Sequence, residues 1–374
     1  MVIGIPVEIR NHECRVGATP ELVGMLADKG CKVLVETKAG VKSGFRDEDY
    51  EAASAVIVPS PEKLYSKSEI ILKVKSPNPV EYELIQPHHT IFAYFQFFSN
   101  LEATRSLMAR GCNCFTYDLL RMKSGLMPLL NVDRQITGQL AVQQGAYFIQ
   151  AHKKGRGVFL GEVPGVSPAK VGIVGANYAA IYAALYAARS GAHVTMFVPD
   201  AEDLTYSDVT LPPSVKILES NSDNFKEIFP STDLLICAAQ RIDETSTAVI
   251  DEEIINLLPA GAVTIDLDIE FGGSLATSQP TTYENPVFVK NEIIHYCVPG
   301  IAGTVPVTAS AALSQALQPL ILKCAEKGFA ELLRAEEEFY SGLAIFEGRI
   351  TNEKLAEALA VSFYDFKEFI TSSP

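Results

Sequence analysis

The chain contains no Cys-x-x-Cys pair, no run of 18 apolar residues and no long block of basic residues. Each absence removes a class of protein. Seven cysteines, at positions 14, 31, 112, 114, 237, 297 and 324, are odd in number and scattered, which argues against a disulfide framework and against a structural zinc site. Cys112 and Cys114 flank one residue of a predicted strand, so their side chains point the same way, and buried thiols are expected there. Without a long apolar run there is no candidate membrane-spanning helix. The chain opens directly on Val2-Ile3-Gly4-Ile5-Pro6, read as a buried strand with neither a basic leader nor a cleavage site, so the expected compartment is the cytoplasm. The formal charge of -14 repels a polyanion, and the densest basic cluster, Lys153, Lys154 and Arg156, reads as a solvated helix end, so nucleic acid is not an expected partner. No internal repeat and no low-complexity segment interrupts the chain.

What is present is the material of a folded α/β protein. At 374 residues the chain suits two domains, and 48% hydrophobic against 20% charged residues is the balance of an ordinary packed protein. Short apolar runs at Val2 to Pro6, Lys32 to Thr37, Ile70 to Lys75, Thr90 to Phe95 and Asn113 to Tyr117 alternate with helical patterns, the rhythm of parallel strands joined by crossovers. A helix of about 20 residues is expected from Asp133 to His152, with apolar positions at Ile136, Leu140, Val142, Ala146, Tyr147 and Ile149. A second set of runs follows at Lys170 to Val174, His193 to Val198, Asp233 to Ala238, Ala262 to Leu267 and Ile293 to Val298. Two more helices are read at Ala309 to Lys327 and Glu331 to Leu343, returning the chain to the first domain. The expectation is two α/β domains with mainly parallel sheets, joined by two long helices with a ligand cleft between them. The first, discontinuous domain takes residues 1–130 plus 306–374, and the second takes residues 131–305.

Seven collinear blocks carry a resemblance: Gly4-Ile5-Pro6-Val7-Glu8-Ile9, Glu13-Cys14-Arg15-Val16, Leu72-Lys73-Val74-Lys75-Ser76-Pro77, Gly155-Arg156-Gly157-Val158, Gly165-Val166-Ser167-Pro168-Ala169-Lys170-Val171, Pro280-Thr281-Thr282 and Tyr296-Cys297-Val298. On these the chain resembles alanine dehydrogenase and the α subunit of nicotinamide nucleotide transhydrogenase. The resemblance implies two Rossmann-like domains, NAD as cofactor, a small amino acid or 2-oxo acid as substrate, and a homo-oligomer.

Carried over residue by residue, it implies that Arg15 and Lys75 bind substrate. A guanidinium offers paired donors that match a carboxylate, and an ammonium at a strand end can hold an oxo or carboxylate oxygen. The competing reading of both is an ordinary surface ion pair. Lys75 follows Ile70-Ile71-Leu72 and so sits at the carboxyl end of a buried strand, where α/β sheets place ligands. The family's catalytic imidazole falls at Gln96, whose amide orients a carbonyl but cannot shuttle a proton. His88 and His89 precede that strand in a Gln-Pro turn and are read as solvent-exposed. The family's catalytic carboxylate falls at Glu270, one methylene longer than aspartate, and Asp266 and Asp268 are read as alternating onto the same strand face, one of them as an acceptor for nearby backbone donors. A Lys75/Glu270 pair keeps acid–base chemistry available.

For the cofactor, Gly175-Ala176-Asn177-Tyr178-Ala179-Ala180 stands where the resemblance implies Gly-x-Gly-x-x-Gly/Ala. Gly175 and Ala180 keep the pattern, whereas Asn177 puts a side chain where the backbone normally approaches the pyrophosphate. Val198 replaces the ribose-binding acid, with Asp200 two residues on. Gly300-Ile301 replaces the Asn-Met of the nicotinamide pocket, so Ile301 is expected to line it. Arg134, at the expected start of the long helix, reads equally as a phosphate contact and as a surface ion pair. Three functions follow: an NAD-linked amino-acid oxidoreductase of weak or altered activity, an enzyme condensing an amino acid reductively with a keto acid, and a non-catalytic binding or scaffold protein that has lost hydride transfer.

Overall fold

The computed structural model describes residues 1–199, 209–239 and 250–367. The chain divides into two compact units, Met1–Val132 with Gly303–Pro374, and Asp133–Ala302. In the first unit the strands β1 (Val2–Ile5), β2 (Lys32–Glu36), β3 (Val56–Val58), β4 (Ile70–Lys75), β5 (Thr90–Tyr94) and β6 (Asn113–Thr116) are all parallel, in the spatial order β6-β5-β4-β1-β2-β3. They form where the sequence concentrates branched and aromatic apolar residues, and β4 and β5 are buried along their whole length. The switch of strand order between β4 and β1 leaves a crevice outside their carboxyl ends, the place where open α/β sheets take ligands.

The second unit repeats this logic with β7 (Lys170–Val174), β8 (His193–Val198), β9 (Lys216–Glu219), β10 (Leu234–Cys237), β11 (Val263–Asp266), β12 (Val287–Lys290) and β13 (Ile293–Tyr296), in the order β12-β13-β11-β10-β7-β8-β9. Only β12 runs antiparallel among the described strands of this sheet. Its order reverses between β7, which leads to β8 and β9 on one side, and β10 on the other, so the turn after β7 stands at the switch point. The core here packs Val174, Phe197, Phe225, Phe229, Leu235 and Ile255 together.

The long helix expected from Asp133 to His152 runs instead over Pro128–Phe148, with proline at its first position, and the boundary between the units falls inside it. At Gly138 it meets the helix Tyr178–Arg189 backbone to backbone: a Cβ there would stand 2.1 Å from the Ala179 carbonyl oxygen. Pro306–Lys327 is a single helix, as expected, and carries Pro319 inside it. The helix read through Glu331 to Leu343 is not continuous. It is Phe329–Ala335, then a 3₁₀ segment Glu337–Gly342, then an antiparallel hairpin of β14 (Leu343–Phe346) and β15 (Arg349–Ile350) that extends the first sheet beside β6. Gly342 explains the change of structure, because a Cβ there would fall 2.4 Å from the Phe115 ring, so the chain must lie flat on β6 as it enters β14. Among the described residues no helix is long and apolar enough to cross a membrane.

Candidate functional site

In the first unit the carboxyl ends of β4 and β5 bring Lys75 opposite Tyr94, with Gln96 two residues further on. Lys75 is 6% exposed and Arg15 3%, which removes the surface-ion-pair reading of both. Arg15 comes from the segment between β1 and the helix Pro20–Asp28, and its Nε and Nη2 donate to the two Glu13 oxygens at 2.8 and 2.7 Å. This bidentate fork fixes the plane of the guanidinium. Burial pushes the Glu13 carboxyl up, but Arg15 and then Lys75 outweigh it and hold the group below the usual carboxylate range. The Arg15 guanidinium also stands 6.0 Å from the centre of the Tyr94 ring, and the Tyr94 hydroxyl donates to the Leu129 carbonyl at 2.7 Å. Gln96 adopts a left-handed backbone, φ 54° and ψ 47°, and its N–H donates to Asp118 Oδ2 at 2.8 Å. Three predicted positions, Arg15, Lys75 and Gln96, thus belong to one end of one sheet.

The second unit holds the remaining predicted positions. Gly175 closes β7 at φ 124°, and a Cβ there would lie 2.0 Å from the Ala238 carbonyl oxygen, so the turn after β7 requires glycine. Asn177 is not left-handed: at φ -76° and ψ 171° it is the N-cap of the helix Tyr178–Arg189. Its Oδ1 accepts from the N–H groups of Ala179 at 2.9 Å and Ala180 at 3.3 Å, and its Nδ2 donates to Ala238 O at 2.7 Å. A helix N-terminus binds phosphate through such N–H groups. Here an internal carboxamide already satisfies two of them and pins the turn to the end of β10. Val198 ends β8 with 2% exposure and offers no acceptor to a ribose hydroxyl, while Asp200 lies outside the described residues. Asn177 and Val198 thus depart from the glycine-rich fingerprint at the positions that would meet the pyrophosphate and the ribose.

Glu270 is not on a strand face with Asp266 and Asp268. Strand β11 ends at Asp266, and Glu270 sits in a 3₁₀ turn, Ile269–Phe271, because the two aspartates fold the chain over. Asp266 accepts from the N–H groups of Asp268, Ser274 and Leu275 and from the Ser278 hydroxyl, and Asp268 accepts from Ala239 N and the Ser274 hydroxyl. The acceptor role expected of one aspartate is therefore shared by both. A Cβ on Gly300 would stand 3.9 Å from Glu270 Oε1, which puts the Glu270 carboxylate beside the Gly300-Ile301 turn, where Ile301 is buried. Arg134 is half-buried and lies nearly two turns inside the helix Pro128–Phe148, not at its N-terminus, because that helix begins before Asp133.

The exposed reading of the neighbouring histidines holds for His88 only. His89 is fully buried; its Nδ1 takes the Gln86 N–H at 3.0 Å and its Nε2 lies 3.0 Å from Tyr65 O, so it staples the turn before β5. Sequence reasoning did not single out Glu8, Glu13, Tyr94 or Asp118. A signal existed for the first two, since Lys73 and Lys75 inside a buried strand demand carboxylate partners. Among the described residues no group of three or more His, Cys, Asp or Glu side chains is placed to hold a metal ion.

Comparison with known proteins gives these positions a context. Residues 4–136 match the family model described as alanine dehydrogenase/PNT, N-terminal domain, and residues 141–353 match alanine dehydrogenase/PNT, C-terminal domain. The chain belongs to the alanine dehydrogenase/PNT family. Alanine dehydrogenase of Mycolicibacterium smegmatis is 34% identical over 99% of this chain and 100% of that protein, and alanine dehydrogenase of Bacillus subtilis is 34% identical over 97% and 96%. A solved L-alanine dehydrogenase superposes with a TM-score of 0.88 at 34% identity, covering 96% of this chain and 99% of that one. The transhydrogenase from Sinorhizobium meliloti shares the fold, with a TM-score of 0.76 at 21% identity over 94% of this chain and 99% of that one.

Proposed function

We propose that the protein is an amino-acid oxidoreductase related to alanine dehydrogenase, interconverting a small amino acid with its 2-oxo acid and ammonia, with an NAD-linked activity that is weak or altered. The observation that carries this reading is the buried pair Arg15 and Lys75 at the carboxyl ends of a parallel sheet, in a chain 34% identical to alanine dehydrogenases over nearly its whole length. In this reading the first unit is the substrate domain. Arg15, held flat by Glu13, takes the substrate carboxylate, and Lys75 holds the oxo or amino group. Gln96 orients the substrate by hydrogen bonding but moves no proton. Lys75 and Glu270 are the groups with acid–base chemistry, and Glu270 assists proton movement. Reductive condensation of an amino acid with a keto acid would use the same carboxylate-binding residues.

The second unit is the dinucleotide-binding-like domain, and NAD is its proposed but weakly held ligand. Arg134, Gly175, Asn177, Ala180, Val198, Asp200 and Ile301 are its candidate contacts. The Asn177 cap also favours a second reading, a protein that kept the substrate end and lost the redox end. A homo-oligomer is proposed on the family likeness. Oxidation of NADH in the presence of pyruvate and ammonia, paired with thermal melts in NADH, pyruvate and alanine, tests all of this. Slow but measurable oxidation supports the first reading. A melt shifted by pyruvate or alanine alone, with no oxidation, supports the second, and no response to either acid overturns both.

A further inference from the structure

The first unit buries an ionic set that the reading above does not use. Lys73, in β4, is fully buried between two carboxylates, with Glu81 Oε1 at 2.9 Å and Glu8 Oε2 at 3.4 Å. The Tyr65 hydroxyl donates to the same Glu81 oxygen at 3.0 Å. Removing an ammonium from water costs several kcal/mol, so a lysine is retained there only with partners of this quality. What the set holds is visible in the register of β4. Ile70, Ile71 and Leu72 pair with Thr90, Ile91 and Phe92, and then Lys75 pairs with Tyr94, so Lys73 and Val74 together face Ala93 alone. That is a β-bulge one residue before the end of the strand, and a bulge both leaves a backbone group outside the ladder and re-aims the side chain that follows. Here the Val74 N–H donates to Glu8 Oε1 at 2.6 Å, and the Lys75 N–H reaches the same oxygen at 3.4 Å.

We propose that Glu8 is a positioning residue of the substrate site: its carboxylate clamps the bulge in β4 and so sets the direction in which Lys75 leaves the strand. Lys73 is the buried counter-charge that keeps Glu8 in place, and Glu81 holds the other side of Lys73. Burial pushes the Glu8 carboxyl above the usual carboxylate range, and Lys73 and the Val74 N–H offset this only in part. The role of the clamp in catalysis rests on the proposed function, but the clamp itself does not.

Two substitutions separate geometry from charge. Glu8→Gln keeps an oxygen within reach of the Val74 N–H and loses the charge. Glu8→Asp keeps the charge and withdraws the oxygen by one methylene. Two readouts are taken on both: the pyruvate concentration dependence of NADH oxidation, and the rate of Lys75 acetylation by acetic anhydride at fixed pH, followed by peptide mapping with exposed Lys32 as internal reference. The expected result is that Glu8→Asp raises KM for pyruvate at least tenfold and changes Lys75 acetylation at least fivefold, while Glu8→Gln stays within threefold of the native protein on both, even though both variants melt lower. A milder effect of Asp than of Gln, or equal effects, overturns the proposal. If the native protein does not turn over pyruvate, the proposed function fails on its own, and the acetylation rates alone decide the clamp.

Discussion

The carboxyl end of the first sheet and the carboxyl end of the second are built on the same parallel scaffold and satisfy their polar groups by different means. At the end of β4 and β5, buried charges are paired with one another, Arg15 with Glu13 and Lys73 with Glu8 and Glu81, and the cluster includes residues of the kind that hold a carboxylate. At the end of β7, the backbone donors that such a turn usually presents to a ligand are answered from within by Asn177. Scaffold likeness therefore says where a ligand would be received, and side chains say whether anything is left to receive it.

The largest effect expected to test this contrast is at Gln96. Because its amide cannot act as an acid or base, Gln96→His should raise the rate of NADH oxidation with pyruvate and ammonia, by up to about 10²- to 10⁴-fold if the imidazole regains full use. A native rate already equal to that of ordinary alanine dehydrogenases would show that another group has taken the role. Next in size, the Arg15→Ala, Lys75→Ala double variant should weaken binding of pyruvate by roughly 100-fold or more, since charge-assisted hydrogen bonds contribute about 1.5–3 kcal/mol each. Titration calorimetry reads this directly, and unchanged affinity would erase the ligand-receiving role of the first sheet.

Acid should act on a buried histidine in each unit. In the second, His295 is buried between β11 and β12, bonded through Nδ1 to Thr264 and stacked on Phe288, with Lys290 and Glu252 acting on it. Burial first, and then Lys290, push its pKa down to about 4 from 6.5. The unfolded chain binds the extra proton between those values, so the stabilisation is complete above about pH 6.5 and is lost as pH falls toward 4, by at most about 3 kcal/mol. In the first unit burial likewise pushes His89 down, with a loss of the same sign below its ordinary value of 6.5, while the lowered Glu13 carboxyl contributes above its ordinary value of 4.5 and loses that contribution only as pH falls below it. Melts between pH 8 and 4 should show the loss above pH 4.5, and His295→Gln should reduce it.

The smallest effects concern the cap. The native protein should melt with little or no shift in sub-millimolar NAD, whereas Asn177→Gly with Val198→Asp should restore a shift, approaching about 2.7 kcal/mol at 100 times the dissociation constant. Tight NAD binding by the native protein would break the contrast between the two sheets. Asn177→Ala should cost about 1 kcal/mol as a lost N-cap, and Asn177→Gly only a few tenths.

The strands that a reader of the sequence finds are those whose burial is written in apolar runs, such as Ile70 to Lys75 and Leu234 to Cys237. Strand β9 is mostly exposed and β12 is an edge, so neither carries such a run, and β14 hides in what looks like the end of an Ala- and Glu-rich helix. Arg15 and Gln96 are legible at the site through the resemblance, and Lys75 also because it ends a buried strand. The turn that lifts Glu270 off β11 depends on Asp266 collecting donors up to twelve residues away, which no local pattern encodes. The departures at Asn177 and Val198 are legible as letters, but the Asn177 bond to Ala238 spans 61 residues and is visible only in three dimensions.

The contact at Gly138 fixes how that cap can act. With the Ala179 carbonyl against its backbone, the helix Tyr178–Arg189 has no room to slide away from its own N-cap. If an anion is received at this turn, its admission would depend on the rotation of one side chain, and its apparent dissociation constant would be the intrinsic value divided by the fraction of time the Asn177 carboxamide is swung out.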